Sequence, residues 1–359
     1  MTGWRLSPFA LVTLAGIVGS VIALAIAPHD TLAAYLAAVA AISAIPVGAL
    51  MVLMMTYLVP GRWTNAMHLP LTAAALTIPV FGLLFVPVLI GLPWLYPWVH
   101  EPPVPAFKAV YLSPSFFVLR SVVYFAAWTA VALWVRRAWG NPAQMIRAAS
   151  AGLVIWALTA SIAGVDWIES LTPDFHSSIY GLLFLTFQVL GGVAFGIAMT
   201  AAAHPRSRAI AGYGALLLST LLLWAYIQAM QYIIIWAGNI PGEVVWYLQR
   251  ETGVWMFVTW GLVALQFIVP FFALLSSRVR NRPTPLLVVA GATLILRLVE
   301  GMWLVLPSAG ASGAILWLAI PAALAMTIGA FGCALQFTLA RMAQSPADTR
   351  ALPAAATSA

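Results

Sequence analysis

The chain has 359 residues, of which 63% are hydrophobic and 7% are charged, and its mean hydropathy is +1.00. Soluble domains carry about 25% charged residues, so this composition excludes a water-soluble fold. The net charge of +7 comes from basic residues scattered between apolar segments, which excludes a basic face for nucleic acid. The single cysteine, Cys333, lies in an apolar run, so no disulfide framework or thiolate metal cluster is available within the chain.

Long apolar runs, divided by proline, glycine and charged residues, predict ten transmembrane helices and hence an all-α polytopic membrane protein. The first run follows Arg5 and has some features of a signal peptide, but it exceeds the usual core of about 7–15 residues. We therefore expect it to be a helix. The predicted helices lie at 7–27, 33–59, 70–92, 113–137, 145–165, 176–203, 209–237, 253–276, 285–305 and 314–341.

Most basic residues fall on one side of these predicted helices. That side includes both termini, and its residues are Arg5, Arg62, Arg136, Arg137, Arg147, Arg206, Arg208, Arg278, Arg280, Arg282, Arg341 and Arg350. The opposite side has Lys108 and Arg250. Because Lys and Arg concentrate in cytoplasmic loops, we predict that both termini are cytoplasmic. The acidic residues gather on the outer side instead, at Asp30, Glu101, Asp166, Glu169, Asp174, Glu243 and Glu251.

Two outer segments, 94–114 and 239–251, are rich in Trp, Tyr or Pro and suit a position at the membrane interface. Each would lie between the second and third helix of a four-helix unit, if helices two to five and six to nine form two such units. The even offset between the units then predicts a parallel repeat.

Ionisable residues inside membrane helices are costly and mark candidate functional sites. Arg120 lies roughly 10 Å from the outer end of its helix, and Arg297 and Glu300 lie about 12 and 8 Å from the outer end of theirs. The i, i+3 spacing of Arg297 and Glu300 allows them to pair. Asp166 ends the fifth helix and His176 opens the sixth. These residues predict either a structural ion pair with interface residues or an outer polar cavity that handles protons.

Amide and phenol side chains also lie in the outer part of the predicted membrane helices. Gln228 and Gln231 fall in the outer half of the seventh helix, Tyr124 is one turn from Arg120, and Glu243 follows in the outer segment. Such groups can hydrogen-bond a quinone carbonyl or hold water. The alternative is ordinary hydrogen bonding between helices, worth about 0.6–2 kcal/mol per bond.

Histidine positions give no sign of a redox centre. His29, His68, His100, His176 and His204 all fall in loops or near helix ends, whereas a buried haem needs ligands deep in facing helices. We therefore expect no metal and no covalently bound cofactor. His68, near the inner end of the third helix, is either interfacial or the cytoplasmic start of a proton route.

Three segments resemble the ActF membrane subunit of alternative complex III, a quinol:cytochrome c oxidoreductase. They are YLSPSFFVLRSVVYFAAW (111–128), SIAGVDWIESLTPDFHSSIYG (161–181) and LLLWAYIQAMQYIIIWAGNIPGEVVWYLQRETGVW (221–255). The Asn-Ile-Pro-x-Glu corner at 239–243 is the most specific part of this resemblance. By residue match, the candidate polar groups are Arg120, Asp166, His176 and Glu243.

The resemblance implies a fold like the NrfD and polysulfide-reductase membrane subunits, with four-helix bundles at 33–165 and 176–305 and peripheral helices at 7–27 and 314–341. It implies residence in the bacterial cytoplasmic membrane as part of a respiratory complex. The implied partners are the lipid bilayer, a homologous quinol-binding membrane subunit, a periplasmic iron–sulfur subunit, multihaem cytochromes c and a terminal oxidase.

The sequence leaves three functions open. In the first, the subunit contributes a periplasmic-side cavity for quinone or quinol, or a proton pathway, and a docking surface for redox partners. In the second, the subunit is purely structural and binds no ligand. The third is a secondary transporter, for which Pro79, Pro87 and Pro270 are the only sign of broken helices.

Overall fold

The computed structural model describes residues 7–59, 61, 64–101, 105–203 and 210–344. Within these ranges the chain is helical, without strands, and ten helices are long and apolar enough to cross a membrane. The predicted fold class, an all-α polytopic membrane protein, is confirmed. Five arginines used to predict the orientation lie outside the described residues: Arg5, Arg62, Arg206, Arg208 and Arg350.

The ten long helices are numbered here in chain order. They are α1 (Pro8–Ile26), α2 (Pro28–Leu58), α3 (Thr64–Ile90), α4 (Pro114–Ala138), α5 (Pro142–Leu171), α6 (Tyr180–Ala203), α7 (Ile210–Gly238), α8 (Gly253–Leu275), α9 (Pro283–Val305) and α10 (Leu316–Ala343).

Four predicted boundaries differ from the structure by more than three residues. Helix α5 ends at Leu171 rather than 165, because the helical turn Glu169–Leu171 extends it. Helix α2 begins at Pro28 rather than 33, because proline suits the first helical turn and Asp30 there complements the helix dipole. Helix α3 begins at Thr64 rather than 70, so His68 lies within the helix and is buried. Helix α6 begins at Tyr180 rather than 176, so His176 lies in the preceding loop and does not open the helix.

Prolines interrupt two of the helices. Helix α3 consists of Thr64–Ala75, Ile78–Leu84 and Val86–Ile90, and Pro79 and Pro87 each lie in the first turn of a new piece. Helix α8 consists of Gly253–Leu262, a π-helical segment Val263–Ile268, and Val269–Leu275. Pro270 lacks the N–H that an α-helix would bond to the carbonyl four residues earlier, so the irregular segment falls where a hydrogen bond is lost.

The long helices form two groups of four. In the first group, α2 and α4 each contact both α3 and α5. In the second group, α6 and α8 each contact both α7 and α9. The groups meet mainly through α2 and α6. Helices α1 and α10 pack on each other, and α10 also packs on α2 and α3.

Glycine and alanine allow α2 and α6 to approach closely at the centre of the molecule. A Cβ on Gly192 would lie 2.2 Å from the carbonyl carbon of Gly48, and a Cβ on Gly48 would lie 1.9 Å from the carbonyl oxygen of Gln188. Small residues are the usual means by which membrane helices come together. This contact fixes the two four-helix groups side by side.

Successive helices run in opposite directions, so both described ends of the chain lie on one side of the molecule. We call the opposite side the distal side. It carries short helices after α3 (Leu92–Leu95, Pro97–Val99 and Ala106–Tyr111), Glu169–Leu171 at the end of α5, and Pro241–Leu248 after α7. Asn239 has a φ of 46°, a left-handed conformation that asparagine tolerates. It ends α7 and turns the chain into Pro241–Leu248.

Candidate functional site

Asp166 is the centre of a buried cluster in the first four-helix group. Arg120 on α4 binds it through two hydrogen bonds, from Nε to Oδ2 at 2.8 Å and from Nη2 to Oδ1 at 3.0 Å. The Tyr124 hydroxyl, one turn along α4, donates to Oδ2 at 2.5 Å. Asp166 is 0% exposed. We call Arg120, Tyr124 and Asp166 the closed cluster.

The distal loop covers the closed cluster. The Nη1 group of Arg120 donates to the carbonyl of Tyr111 at 2.7 Å, and the guanidinium lies 3.9 Å from the centre of the Tyr111 ring. Burial and the Asp166 carboxylate raise the pKa of Tyr111 above its usual value. Both oxygens of Asp166 already have partners, and no residue of this cluster lines either of the two cavities described below, so the cluster has the character of a structural ion pair.

Glu300 is the centre of a second buried cluster, in the second four-helix group. Its Oε1 accepts hydrogen bonds from Trp224 Nε1 at 2.9 Å and from Gln228 Nε2 at 2.8 Å. Its Oε2 forms an ion pair with Arg297, one turn earlier on α9, as the i, i+3 spacing predicts. The Arg297 guanidinium also lies 4.7 Å from the Trp224 ring. We call these four residues the Glu300 cluster.

Glu300 faces a cavity of about 960 Å³, which we call the large cavity. Helix α7 packs on the π-helical and later parts of α8, whereas the first part of α8 packs on α9. The distal ends of α7 and α8 therefore diverge, and the cavity occupies this gap. Its lining is Leu222, Trp224, Ala225, Tyr226, Gln228, Ala229, Tyr232, Tyr247, Arg250, Glu251, Met256, Thr259, Trp260, Leu262, Val263, Phe267, Glu300 and Trp303.

The large cavity has the character of a ligand site. Pockets of about 300–1,000 Å³ with apolar walls and a few polar groups are typical of small-molecule sites. Here the inner polar groups are the Glu300 carboxylate and the Gln228 amide. Lining residues Tyr226 and Trp260 are also 57% and 67% exposed on the outer surface of α7 and α8, so the cavity is open at the side.

Arg250 forms part of the distal wall of the large cavity. It is 0% exposed and donates to the carbonyls of Trp246, Trp303 and Leu304 at 2.6, 3.1 and 3.0 Å and to Ser308 Oγ at 2.8 Å. Burial lowers its pKa to about 9, so it stays protonated at neutral pH. Its bonds tie Pro241–Leu248 to the end of α9 and hold the wall in place.

A smaller cavity of about 440 Å³ lies on the distal side and is lined by Tyr111, Ser161, Ile162, Val165, Glu169, His176, Ser177, Ser178 and Gly181. His176 Nε2 lies 3.1 Å from Lys108 Nζ, which also donates to the carbonyl of Pro173 at 2.8 Å. Glu169 is 8% exposed and accepts a hydrogen bond from the Ser177 backbone N–H at 2.8 Å. We call this the small cavity.

The structure thus distributes the predicted candidates among separate places. Gln228 and Glu300 line the large cavity, Arg297 pairs with Glu300 but is not part of that lining, and His176 lines the small cavity. Gln231 lies between them, fully buried, and accepts from the Ser177 hydroxyl at 2.6 Å. Glu243 lies in the first turn of Pro241–Leu248, where a carboxylate is favourable.

His68 lies at the other end of the molecule from these cavities. Its ring stacks on Trp139 with 3.4 Å between ring centres, and its Nε2 is 3.1 Å from the Tyr57 hydroxyl. It is 9% exposed. His68 therefore belongs to a packed aromatic group, and its part in a proton route stays a prediction.

The fourth helix of each group ends near a buried carboxylate, Asp166 on α5 and Glu300 on α9. Arg120 on the neighbouring helix α4 donates to both oxygens of Asp166, whereas Glu300 lines the large cavity. The sequence analysis did not single out Trp224, Arg250 or Glu169 as site residues. A usable signal was the i, i+4 spacing of Trp224 and Gln228, which places both on one face of α7.

Among the residues that the structure describes, no group of three or more His, Cys, Asp or Glu side chains is placed to hold a metal ion. A scan against models of known protein families finds no match, and a search of curated proteins finds none either.

Proposed function

We propose that this protein is an integral membrane subunit of a respiratory quinol-oxidising complex and that it binds a quinone head group in the large cavity. The observation that carries the proposal is the buried Glu300 carboxylate at the inner end of a mostly apolar cavity of about 960 Å³. The cavity opens between α7 and α8, which are both apolar and long enough to cross a membrane, so a lipid-soluble molecule can enter it from the side.

A quinone suits this cavity chemically. Its flat ring can stack on Trp224, Tyr226 or Trp260, since aromatic pairs are favourable in offset or edge-to-face contact. One ring oxygen can accept a hydrogen bond from Gln228 as a quinone, or donate one to Glu300 as a quinol. The apolar tail can leave through the open side between α7 and α8, toward the bilayer.

The resemblance to the ActF subunit suggests the partners of this protein and its orientation in the membrane. The partners would be a homologous quinol-binding membrane subunit, a periplasmic iron–sulfur subunit, multihaem cytochromes c and a terminal oxidase. The electrons would pass to those subunits, and the distal side would face the periplasm of a bacterial cell. The described arginines at the helix ends opposite the distal side support this orientation, namely Arg136, Arg137, Arg147, Arg278, Arg280, Arg282 and Arg341.

The closed cluster favours a second role, which is assembly. Its ion pair is completed within the chain and faces the distal loop. Under this alternative the protein has no ligand of its own, and the first four-helix group serves as a scaffold for the distal surface.

A binding titration distinguishes the two roles. The purified chain in lipid nanodiscs is titrated with decylubiquinol under anaerobic conditions, and tryptophan fluorescence reports binding because Trp224, Trp260 and Trp303 line the cavity. Glu300→Gln should weaken quinol affinity about 10- to 100-fold, since a hydrogen bond to a charged group contributes about 1.5–3 kcal/mol. Glu101→Gln, a change at an exposed residue outside the cavity, should not alter it.

Glu300→Gln leaves Arg297 without its ion-pair partner, so the double variant Arg297→Gln/Glu300→Gln is measured beside it. Weakened binding in both variants supports the cavity role. Saturable quenching that is the same in all variants would assign binding to another place, and no saturable binding at all would favour the assembly role.

A further inference from the structure

Glu169 is a buried carboxylate that no other part of the proposed function uses. Its Oε1 accepts from the Ser177 backbone N–H at 2.8 Å, and its buried Oε2 has no hydrogen-bond donor among the described residues. An ionised carboxylate that is buried with an unsatisfied oxygen costs free energy. A proton on Glu169 removes this cost, and the small cavity, which Glu169 lines, gives the proton a way to the surface.

A line of polar groups joins Glu169 to Glu300. The Ser177 residue that donates its N–H to Glu169 also donates its hydroxyl to Gln231 Oε1 at 2.6 Å. Gln228 precedes Gln231 by three residues, on the same face of α7, and donates to Glu300 Oε1 at 2.8 Å. The large and small cavities therefore approach each other through these two glutamines.

One group in this line lacks a partner. Gln231 is 0% exposed, and its Nε2 has no hydrogen-bond acceptor among the described residues. Buried polar groups of this kind are commonly satisfied by internal water. Amide side chains do not relay protons readily themselves, but they hold and orient the waters that do.

We propose that Glu169 is the proton-exchange group through which Glu300 equilibrates with water on the distal side. A proton leaves the Glu300 carboxyl group, passes along waters held by Gln228, Gln231 and Ser177, and binds Glu169, which then releases it into the small cavity. The step moves only protons. This proton route rests on the proposed function, because a quinol bound at Glu300 must lose its protons when it is oxidised.

Several charged or titratable groups surround Glu169. Lys108 and Glu243 are its charged neighbours, His176 and Tyr111 line the same cavity, and Lys108 Nζ is 3.1 Å from His176 Nε2. No cation forms an ion pair with Glu169 within the described part of the chain. Glu169 can therefore change its protonation without breaking an ion pair.

Infrared spectroscopy of the chain in nanodiscs tests this route without any quinone. The pH is lowered rapidly, and the rise of the carboxylic acid band of Glu300, assigned by its loss in Glu300→Gln, gives the protonation rate of Glu300. Glu169→Gln should slow that rise at least tenfold. Glutamine keeps an oxygen that can accept from the Ser177 N–H, so the fold should persist, and circular dichroism checks this.

Two comparisons complete the experiment. Glu243→Gln, which removes a neighbouring charge outside the route, should leave the rate unchanged, and Glu169→Asp should restore part of it. A Glu300 band that rises at the wild-type rate in Glu169→Gln, or that never appears at any pH at which the protein is folded, contradicts the proposal. Since the measurement needs no ligand, its failure is distinct from failure of the quinol titration.

Discussion

Asp166→Ala is expected to destabilise the folded protein by about 3–5 kcal/mol, the usual cost of leaving one member of a buried ion pair without its partner. Arg120 would keep its charge at a position that is 9% exposed, and the Tyr124 hydroxyl would lose its acceptor. Unfolding in mixed micelles, followed by circular dichroism at increasing denaturant, measures the change.

The double variant Arg120→Met/Asp166→Leu is the matched control. It removes both charges, so the remaining cost should be about 1–2 kcal/mol for the unsatisfied Tyr124 hydroxyl. Its quinol affinity should equal that of the wild type, because the closed cluster lies outside the lining of the large cavity. If the single and double variants lose equal stability, the ion pair is not what holds α4 against α5.

Ala229→Phe is expected to abolish quinol binding while leaving the protein folded. Ala229 lines the large cavity from α7 and is exposed to it. A phenyl ring at this position would occupy space that a quinone ring needs, without entering the packed core. The nanodisc titration should then show no saturable quenching up to the solubility limit of decylubiquinol.

Leu223→Phe is the control for that change. Leu223 is on the same helix, 48% exposed and outside the cavity lining, so a phenyl ring there should face lipid and leave the affinity unchanged. Normal binding in Ala229→Phe would mean that the ligand lies elsewhere. Equal loss in both variants would point to a general disturbance of α7.

Hydropathy was sufficient to predict the fold class, because each of the ten apolar helices must satisfy its backbone hydrogen bonds internally within the membrane. Local spacing was sufficient for pairs on one helix, such as Arg297 with Glu300 and Arg120 with Tyr124. Neither signal determines which face of one helix meets which face of another. The separation of Asp166 from Glu300 therefore could not be predicted from sequence.

Glu169 illustrates the same limit. The sequence places it only among the outer acidic residues, three positions after Asp166. Its burial and its link to Gln231 depend on the turn at Glu169–Leu171, which brings Ser177 back toward the end of α5. The opening of the large cavity likewise depends on how α7 and α8 diverge, which is a property of their packing.

The central claim, that a quinone head group occupies the large cavity, is tested most directly by photoaffinity labelling. A radiolabelled azidoquinone is activated by light with the chain in nanodiscs, and labelled peptides are identified by mass spectrometry, with and without excess decylubiquinone. The account predicts labels that the competitor prevents on residues of α7 and α8 that line the cavity, Tyr226, Tyr232, Met256 and Trp260 among them. Competitor-sensitive labels on α4 and α5 around Arg120 and Asp166, with none on α7 or α8, would contradict it.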